Sequence, residues 1–452
     1  MPRQIREAKR LTITERQFPN KGIADWEGEK VIVKHTLPGQ TVEACLKRKK
    51  KAWEGINAVV VEKAPYEIEP ACAAHGVCGG CAFQQIPYEK ELALKEEMAL
   101  AALQREGVSG FSYQGILPSP QTIGYRNKME FAFGDTGKDG ALALGIRKRD
   151  SFYEVVTPYG CTIIDEDFRK ILLYTLEFFQ NQGMLFYHRR SHEGCLRHLV
   201  IRKGEFTGEL LVCLVTASDL GPLAAQWAQG LQALALGKRI VGAAQVVNPS
   251  VSDVISYEDT LVLYGELVFT ERILGLTFTI TPTSFFQTNS AGAETLYGKV
   301  REYVGDARGK TVYDLYCGTG TIGQIVARGA ERVIGVELVE PAVRAAEENA
   351  RKNGIANCRF VAGDVLRLAD TFTEKPDIVV LDPPREGIHP KAIDKIIALG
   401  ARKVVYVSCM PTTLARDLKI WENNGYRAEK LAFVDMFPRT GHMETVVSLS
   451  VR

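Results

Sequence analysis

After residue 286 the chain alternates short, β-branched apolar runs with helix-forming stretches, and that rhythm leaves few folds open. Strand-like runs fall at 311–316, 332–337, 359–363, 378–381, 404–408 and 445–451, with helix-like text at 321–327, 341–353, 390–399 and 412–424. Strands separated by helices pair in parallel, so a doubly wound α/β domain is expected here. Ligands of such folds sit at the carboxyl ends of the strands, and the residues that follow each run are the ones to read for chemistry.

The rest of the 452 residues leaves room for about two more domains. From 110 to 285, strand-like runs (128–133, 199–202, 210–216, 241–248) mix with helix-like ones (165–181, 222–234), which suggests an α+β domain. The first 65 residues read as short strands at 11–14, 30–34, 41–47 and 58–63, parted by turn signals at Pro19-Asn20-Lys21-Gly22 and Pro38-Gly39. A small β-barrel is expected. The whole chain has a net charge of only +2, yet this stretch holds fourteen Lys or Arg against eight Asp or Glu, a local net of +6. With Lys47-Arg48-Lys49-Lys50-Lys51 on a loop it reads as a nucleic-acid platform, or else as a solvated charge run. Residues 88–106 are rich in helix formers, and Leu92, Leu100 and Leu103 fall on one face. At 46% hydrophobic and 24% charged, with no apolar stretch of about 18 residues, disordered, collagen-like and membrane-spanning readings are excluded. The opening MPRQIREAKR lacks an apolar segment behind its charges, so a cytoplasmic protein is expected.

Asp314-Leu315-Tyr316-Cys317-Gly318-Thr319-Gly320-Thr321 follows the first of the late strands and opens a helix. Glycines are required where backbone approaches a ligand closely. Gly318-x-Gly320-x-x-Gly323 also satisfies the dinucleotide fingerprint, which keeps a nicotinamide cofactor open. The acids that follow separate the two. Glu337 ends the second strand, suitably placed for ribose hydroxyls; Asp364 closes the third, and Asp382-Pro383-Pro384-Arg385 the fourth. In that order they resemble a class I S-adenosylmethionine-dependent methyltransferase.

A lone cysteine, Cys409, ends the fifth strand just before a helix. An isolated cysteine is usually a small buried apolar residue. At a strand terminus by a helix start, however, a thiol can be acidified and act as a nucleophile. Methylation at C5 of a pyrimidine needs such a thiolate, because C5 becomes nucleophilic only after sulfur adds at C6. The adduct must then lose the C5 proton, and Gly441-His442-Met443-Glu444 offers His442 and Glu444 as bases or as mere surface polar groups.

Together with Ser284-Phe285-Phe286-Gln287, these motifs make nearly the whole chain resemble the RNA uracil-C5 (5-methyluridine) methyltransferases. The resemblance implies Cys409 as nucleophile and Glu444 as proton-abstracting base. It implies Gln287, Tyr316, Glu337, Asp364 and Asp382 as the lining of the cofactor and target pocket, and Tyr125-Arg126-Asn127-Lys128 as an RNA contact. Thr321 stands where many members carry Asn, and no role is carried over to it. The amino-terminal barrel resembles a TRAM domain, related in architecture to OB barrels.

Cys72-x5-Cys78-Gly-Gly-Cys81 puts three thiols within ten residues, and Cys161 matches the distant fourth cysteine of the iron–sulfur members. Four thiolates suit a [4Fe–4S] cluster or tetrahedral zinc. Since methyl transfer needs no electron, a structural role for the cluster is expected, with redox sensing the alternative.

The resulting expectation is a multidomain α/β protein. A TRAM-like barrel spans 1–65, a central α+β domain with the cluster spans 66–87 and 110–285, and a class I methyltransferase domain spans 88–109 and 286–452. It would act as a monomer, with S-adenosylmethionine, on an unpaired or flipped uridine of 23S ribosomal RNA. Transfer RNA is the alternative substrate; an amino-group methyltransferase and a non-catalytic RNA-binding protein are the rival functions.

Overall fold

The computed structural model describes residues 4–137, 140–151, 153–368 and 374–452; Arg3 of the basic stretch lies outside them. The amino-terminal stretch forms a six-stranded sheet in the order Gln4–Thr12, Thr41–Arg48, Trp53–Glu62, Glu29–Lys34, Lys21–Trp26, Glu15–Gln17. Neighbours are antiparallel except Glu29–Lys34 beside Trp53–Glu62. Val31, Val33, Val42, Leu46 and Trp53 fill its core. Lys21–Trp26 was not expected as a strand, because its apolar content is only a short Gly22-Ile23-Ala24 run, all three buried.

The central sheet has seven strands, ordered Val155–Val156, Leu142–Arg147, Lys128–Asp135, Leu196–Lys203, Glu209–Thr216, Arg239–Val247, Asp259–Gly265. Helices Glu166–Asn181 and Pro222–Gln232 cover it, supplying Phe168, Ile171, Phe179 and Trp227 to the core.

The late strands build an eight-stranded sheet in the order Cys358–Ala362, Arg332–Glu337, Thr311–Leu315, Ile378–Leu381, Lys403–Ser408, Glu444–Val451, Tyr426–Val434, Ser112–Leu117. The first five are mutually parallel; Glu444–Val451 runs antiparallel to both of its neighbours. Ser112–Leu117, assigned above to the central domain, instead extends this sheet by pairing in parallel with Tyr426–Val434. Two core layers flank the sheet, one holding Leu296, Val300 and Ile325, the other Ile393, Leu418 and Trp421.

Helix Tyr88–Arg105 packs on Pro411–Asn423 of this domain. Of the three leucines named above, Leu103 lies on its buried face, but that face is rotated away from the other two. Leu92 and Leu100 are half-buried, while Leu94, Met98, Ala99 and Ala102 face inward together with Glu91 and Lys95. Charged partners met in the fold, described below, set the rotation. Among the described residues no helix is long and apolar enough to cross a membrane.

Candidate active site

The register of the large sheet explains why distant residues meet. Leu315 is level with Val336 and with Leu381, so the next residues, Tyr316, Glu337 and Asp382, emerge side by side at one edge. Ser408 is level with Thr445 on the antiparallel neighbour, which sets Cys409 and Glu444 on the following rung. All of these side chains, with Gln287 and Asp364, line a cavity of about 1460 Å³.

The turn after Thr311–Leu315 is built for close backbone approach. Tyr316, Gly318 and Gly320 all have positive φ, at 66°, 54° and 70°. A Cβ on Gly320 would stand 2.5 Å from the Phe360 ring. The Glu337 carboxylate accepts the Gly318 N–H at 3.0 Å and the Val339 N–H at 2.9 Å. Asp314 accepts the Gly323 N–H at 2.7 Å and so braces the helix behind the turn. Burial, with Asp382 and Glu337 nearby, pushes the Asp314 carboxyl up to about 8. Asp364 accepts the Leu366 N–H at 2.9 Å.

At the other end of the edge Asp382, Glu444 and Cys409 crowd together. Burial pushes Asp382 up to about 7. Glu444 is driven well above the usual carboxylate range, first by burial and then by Asp382, with Arg385 opposing. The acidified thiol expected at Cys409 is not found: burial, Glu444 and Asp382 push it up to about 11, and Arg385 alone opposes, by charge and hydrogen bonding. The helix start gives little help, since the Met410 N–H is directed to Ser408 Oγ at 3.2 Å and Pro411 has none. His442, the rival base, is pulled down to about 4 by burial and neighbouring cations. Its ring packs edge-on against Phe18, in the turn after strand Glu15–Gln17 of the amino-terminal sheet, 5.9 Å between centroids.

Sequence reasoning named Arg385 within D-P-P-R but gave it no role. It also passed over Tyr297, a buried phenol hydrogen-bonded to Gln287, and Phe437, both of the cavity wall. Arg126 from the expected RNA-contact segment lines the same cavity, and Asn127 donates from Nδ2 to the Gln287 carbonyl at 2.9 Å.

Cys72, Cys78, Cys81 and Cys161 also line this cavity, and each of Cys78, Cys81 and Cys161 feels the charge of others of the set. All four are free thiols. Among the described residues no three Cys, His, Asp or Glu side chains are disposed to hold a metal ion, so the expected metal site is not formed as a ligand set.

Residues 206–452 match the family model described as tRNA (uracil-5-)-methyltransferase. An uncharacterized RNA methyltransferase of Clostridium tetani is 48% identical over 440 residues, covering 97% of this chain and 96% of its own. One from Clostridium acetobutylicum is 44% identical over 444 residues, 98% and 97% of the two chains. Among solved structures, the Pyrococcus abyssi tRNA (uracil-54, C5)-methyltransferase in complex with S-adenosyl-L-homocysteine superposes with a TM-score of 0.77 at 27% identity. That match covers 97% of this chain and all of the other. With the glycine turn, the ordered acids and the cysteine–glutamate rung on one edge, the chain belongs to the family of S-adenosylmethionine-dependent RNA uracil-C5 methyltransferases.

Proposed function

We propose that the protein methylates C5 of a uridine in 23S ribosomal RNA through a transient bond between Cys409 and C6. The observation that carries this reading is the pairing of Cys409 with Glu444 across one rung of the sheet, inside the cavity that Tyr316, Glu337 and Asp382 enter. The cofactor pocket passes a simple fit test, because Gly318 lies in the cavity wall and a Cβ built there would meet nothing within 4 Å, so the backbone faces open space where a ligand must approach. Glu337 and Asp364 would hold S-adenosylmethionine, which supplies an electrophilic methyl group when bound.

The chain's own residues do the rest. Gln287 and Asp382, which line the same cavity as the nucleophile, orient the pyrimidine. Cys409, its S–H proton given up to solvent, bonds through sulfur to C6 and moves the C5–C6 electron pair towards C5, which then takes up the methyl as the bond from that methyl to the donor's sulfur breaks. Glu444 removes the proton left on C5, the C5–C6 double bond re-forms and the C6–S bond breaks. In its ionised form, a carboxylate held above its usual range is a stronger proton acceptor for this step than His442, pulled down to about 4. A uridine within a stacked helix is out of reach of the thiol, so the target is a loop or a flipped base.

The four cysteines are read as holders of a [4Fe–4S] cluster with a structural role. Tetrahedral zinc is the other occupant that four thiolates would suit. The amino-terminal sheet is read as a TRAM-like RNA-binding barrel, on its charge. The preference for ribosomal RNA rests on those two features together. Transfer RNA is the second reading, favoured by the full-length likeness to the Pyrococcus abyssi enzyme. A monomer acting in the cytoplasm completes the proposal.

RNA carrying 5-fluorouridine should trap a covalent adduct, since fluorine at C5 cannot leave as a proton. The adduct is expected with the parent and absent with Cys409→Ala; an adduct in that variant would overturn the assigned nucleophile. Mapping 5-methyluridine in both RNAs from a deletion strain then decides the substrate.

A further inference from the structure

The loop between strands Tyr426–Val434 and Glu444–Val451 forms part of the cavity wall through Phe437, Thr440 and His442, and it ends at Glu444. It is hung from a charged node shut off from water. Lys95 and Glu91 of helix Tyr88–Arg105 and Asp435 at the head of the loop are all fully buried. Lys95 Nζ donates to Asp435 Oδ1 at 2.6 Å and to the Phe437 carbonyl at 3.1 Å, and lies 2.8 Å from Glu91 Oε1. Glu91 Oε1 accepts the Arg439 N–H at 2.6 Å, and Tyr88 Oη donates to Asp435 Oδ2 at 2.7 Å.

Burying three charges is costly, and apolar packing of equal volume would anchor a helix at least as well. What the charges add is direction. One ammonium and one carboxylate seize a carbonyl and an N–H of the loop two residues apart and fix the angle at which it runs on to Glu444. We propose that Lys95, Glu91 and Asp435 are positioning residues for the base, holding the Phe437–Glu444 segment in register with the Cys409–C6 adduct. This rests on the reading of Glu444 as proton acceptor, and predicts that the node governs breakdown of the adduct and not its formation.

The test uses the full chain with Lys95→Met, Glu91→Gln and Asp435→Asn combined, which removes the three fully buried charges with little change of volume and leaves the Arg439 guanidinium, 3.5 Å from Glu91 Oε2 in the parent, at the edge of the node. Three quantities are read: S-adenosylmethionine affinity, the rate of adduct formation on 5-fluorouridine RNA, and turnover on uridine RNA. Affinity and adduct formation should stay within two-fold of the parent. Turnover should fall at least ten-fold, with a protein–RNA adduct now visible on ordinary uridine RNA in a denaturing gel. Parental turnover, or an equal fall in adduct formation and turnover, would overturn the proposal. Should the triple variant fail to fold, Tyr88→Phe, which removes one bond to Asp435, must show the same split in smaller measure or the proposal fails. If the parent itself forms no adduct on 5-fluorouridine RNA, the reading of the reaction fails instead.

Discussion

Cys409 stands among groups that mostly disfavour its thiolate, and this fixes how its reactivity must depend on pH. Burial, Glu444 and Asp382 hold the thiol up to about 11, with Arg385 opposing. In the free protein, alkylation of Cys409 by iodoacetamide, followed by mass spectrometry, should therefore keep rising with pH well past 9; a plateau by pH 8 would contradict the electrostatics. Arg385→Gln removes the opposing cation, so at pH 7.5 both alkylation and adduct formation should drop about ten-fold, the effect of one pKa unit. The same crowding appears in stability. Asp382 is pushed up to about 7, against about 4 in an unfolded chain. A carboxyl raised in the fold contributes fully below the lower value, and that contribution is lost as pH climbs through the higher one. Asp382→Asn should thus gain melting temperature over the parent progressively from pH 4 to 7 and hold the gain above, in thermal melts without cofactor. A pH-independent difference would refute the assignment.

The elements that carry the site differ in how far they can be read from local text. The turn at 316–320 is legible because its demands are local: Gly320 needs φ of 70° and has no room for a Cβ beside Phe360. Gly320→Ala should cost about 2–4 kcal/mol from left-handed backbone and overpacking together. S-adenosylmethionine affinity should weaken at least ten-fold by calorimetry, while Gly329→Ala, whose Cβ meets nothing nearer than 3.9 Å, should match the parent. Glu337, Asp364 and Asp382 were legible for a related reason, each directly following an apolar run. Strand Ser112–Leu117 was not, since it joins a sheet whose other strands lie some 200 residues or more downstream and, among the described residues, pairs only with Tyr426–Val434. Nor was the rotation of helix Tyr88–Arg105. Hydrophobic periodicity places Lys and Glu outside, and only the arrival of Asp435 and the Arg439 N–H makes burying Lys95 and Glu91 tolerable. The acidity of Cys409 was misread likewise, because the carboxylates that oppose it come from two other strands.

Across the whole molecule, the amino-terminal sheet docks where it can link RNA capture to catalysis. Phe18 packs on His442, and a Cβ on Gly441 would stand 2.4 Å from the Pro19 carbonyl oxygen, so the Phe18-Pro19 turn rests on the loop that leads to Glu444. On the same sheet, Lys47 and Arg48 of the basic run close strand Thr41–Arg48 and do not lie on a loop as expected, while Lys49, Lys50 and Lys51 follow it exposed. If these lysines meet phosphates, each releases a counterion on binding, and Lys49→Ala, Lys50→Ala and Lys51→Ala together should flatten the slope of log affinity against log salt by about 2. Filter binding from 50 to 300 mM salt reads that slope directly. The turnover rate at saturating RNA should hold, because none of the three lines the cavity. A solvated charge run that only keeps the domain soluble would leave slope and affinity untouched. A fall in saturated turnover, by contrast, would mean that the basic run acts through the Phe18–His442 contact on the catalytic loop and not on the RNA.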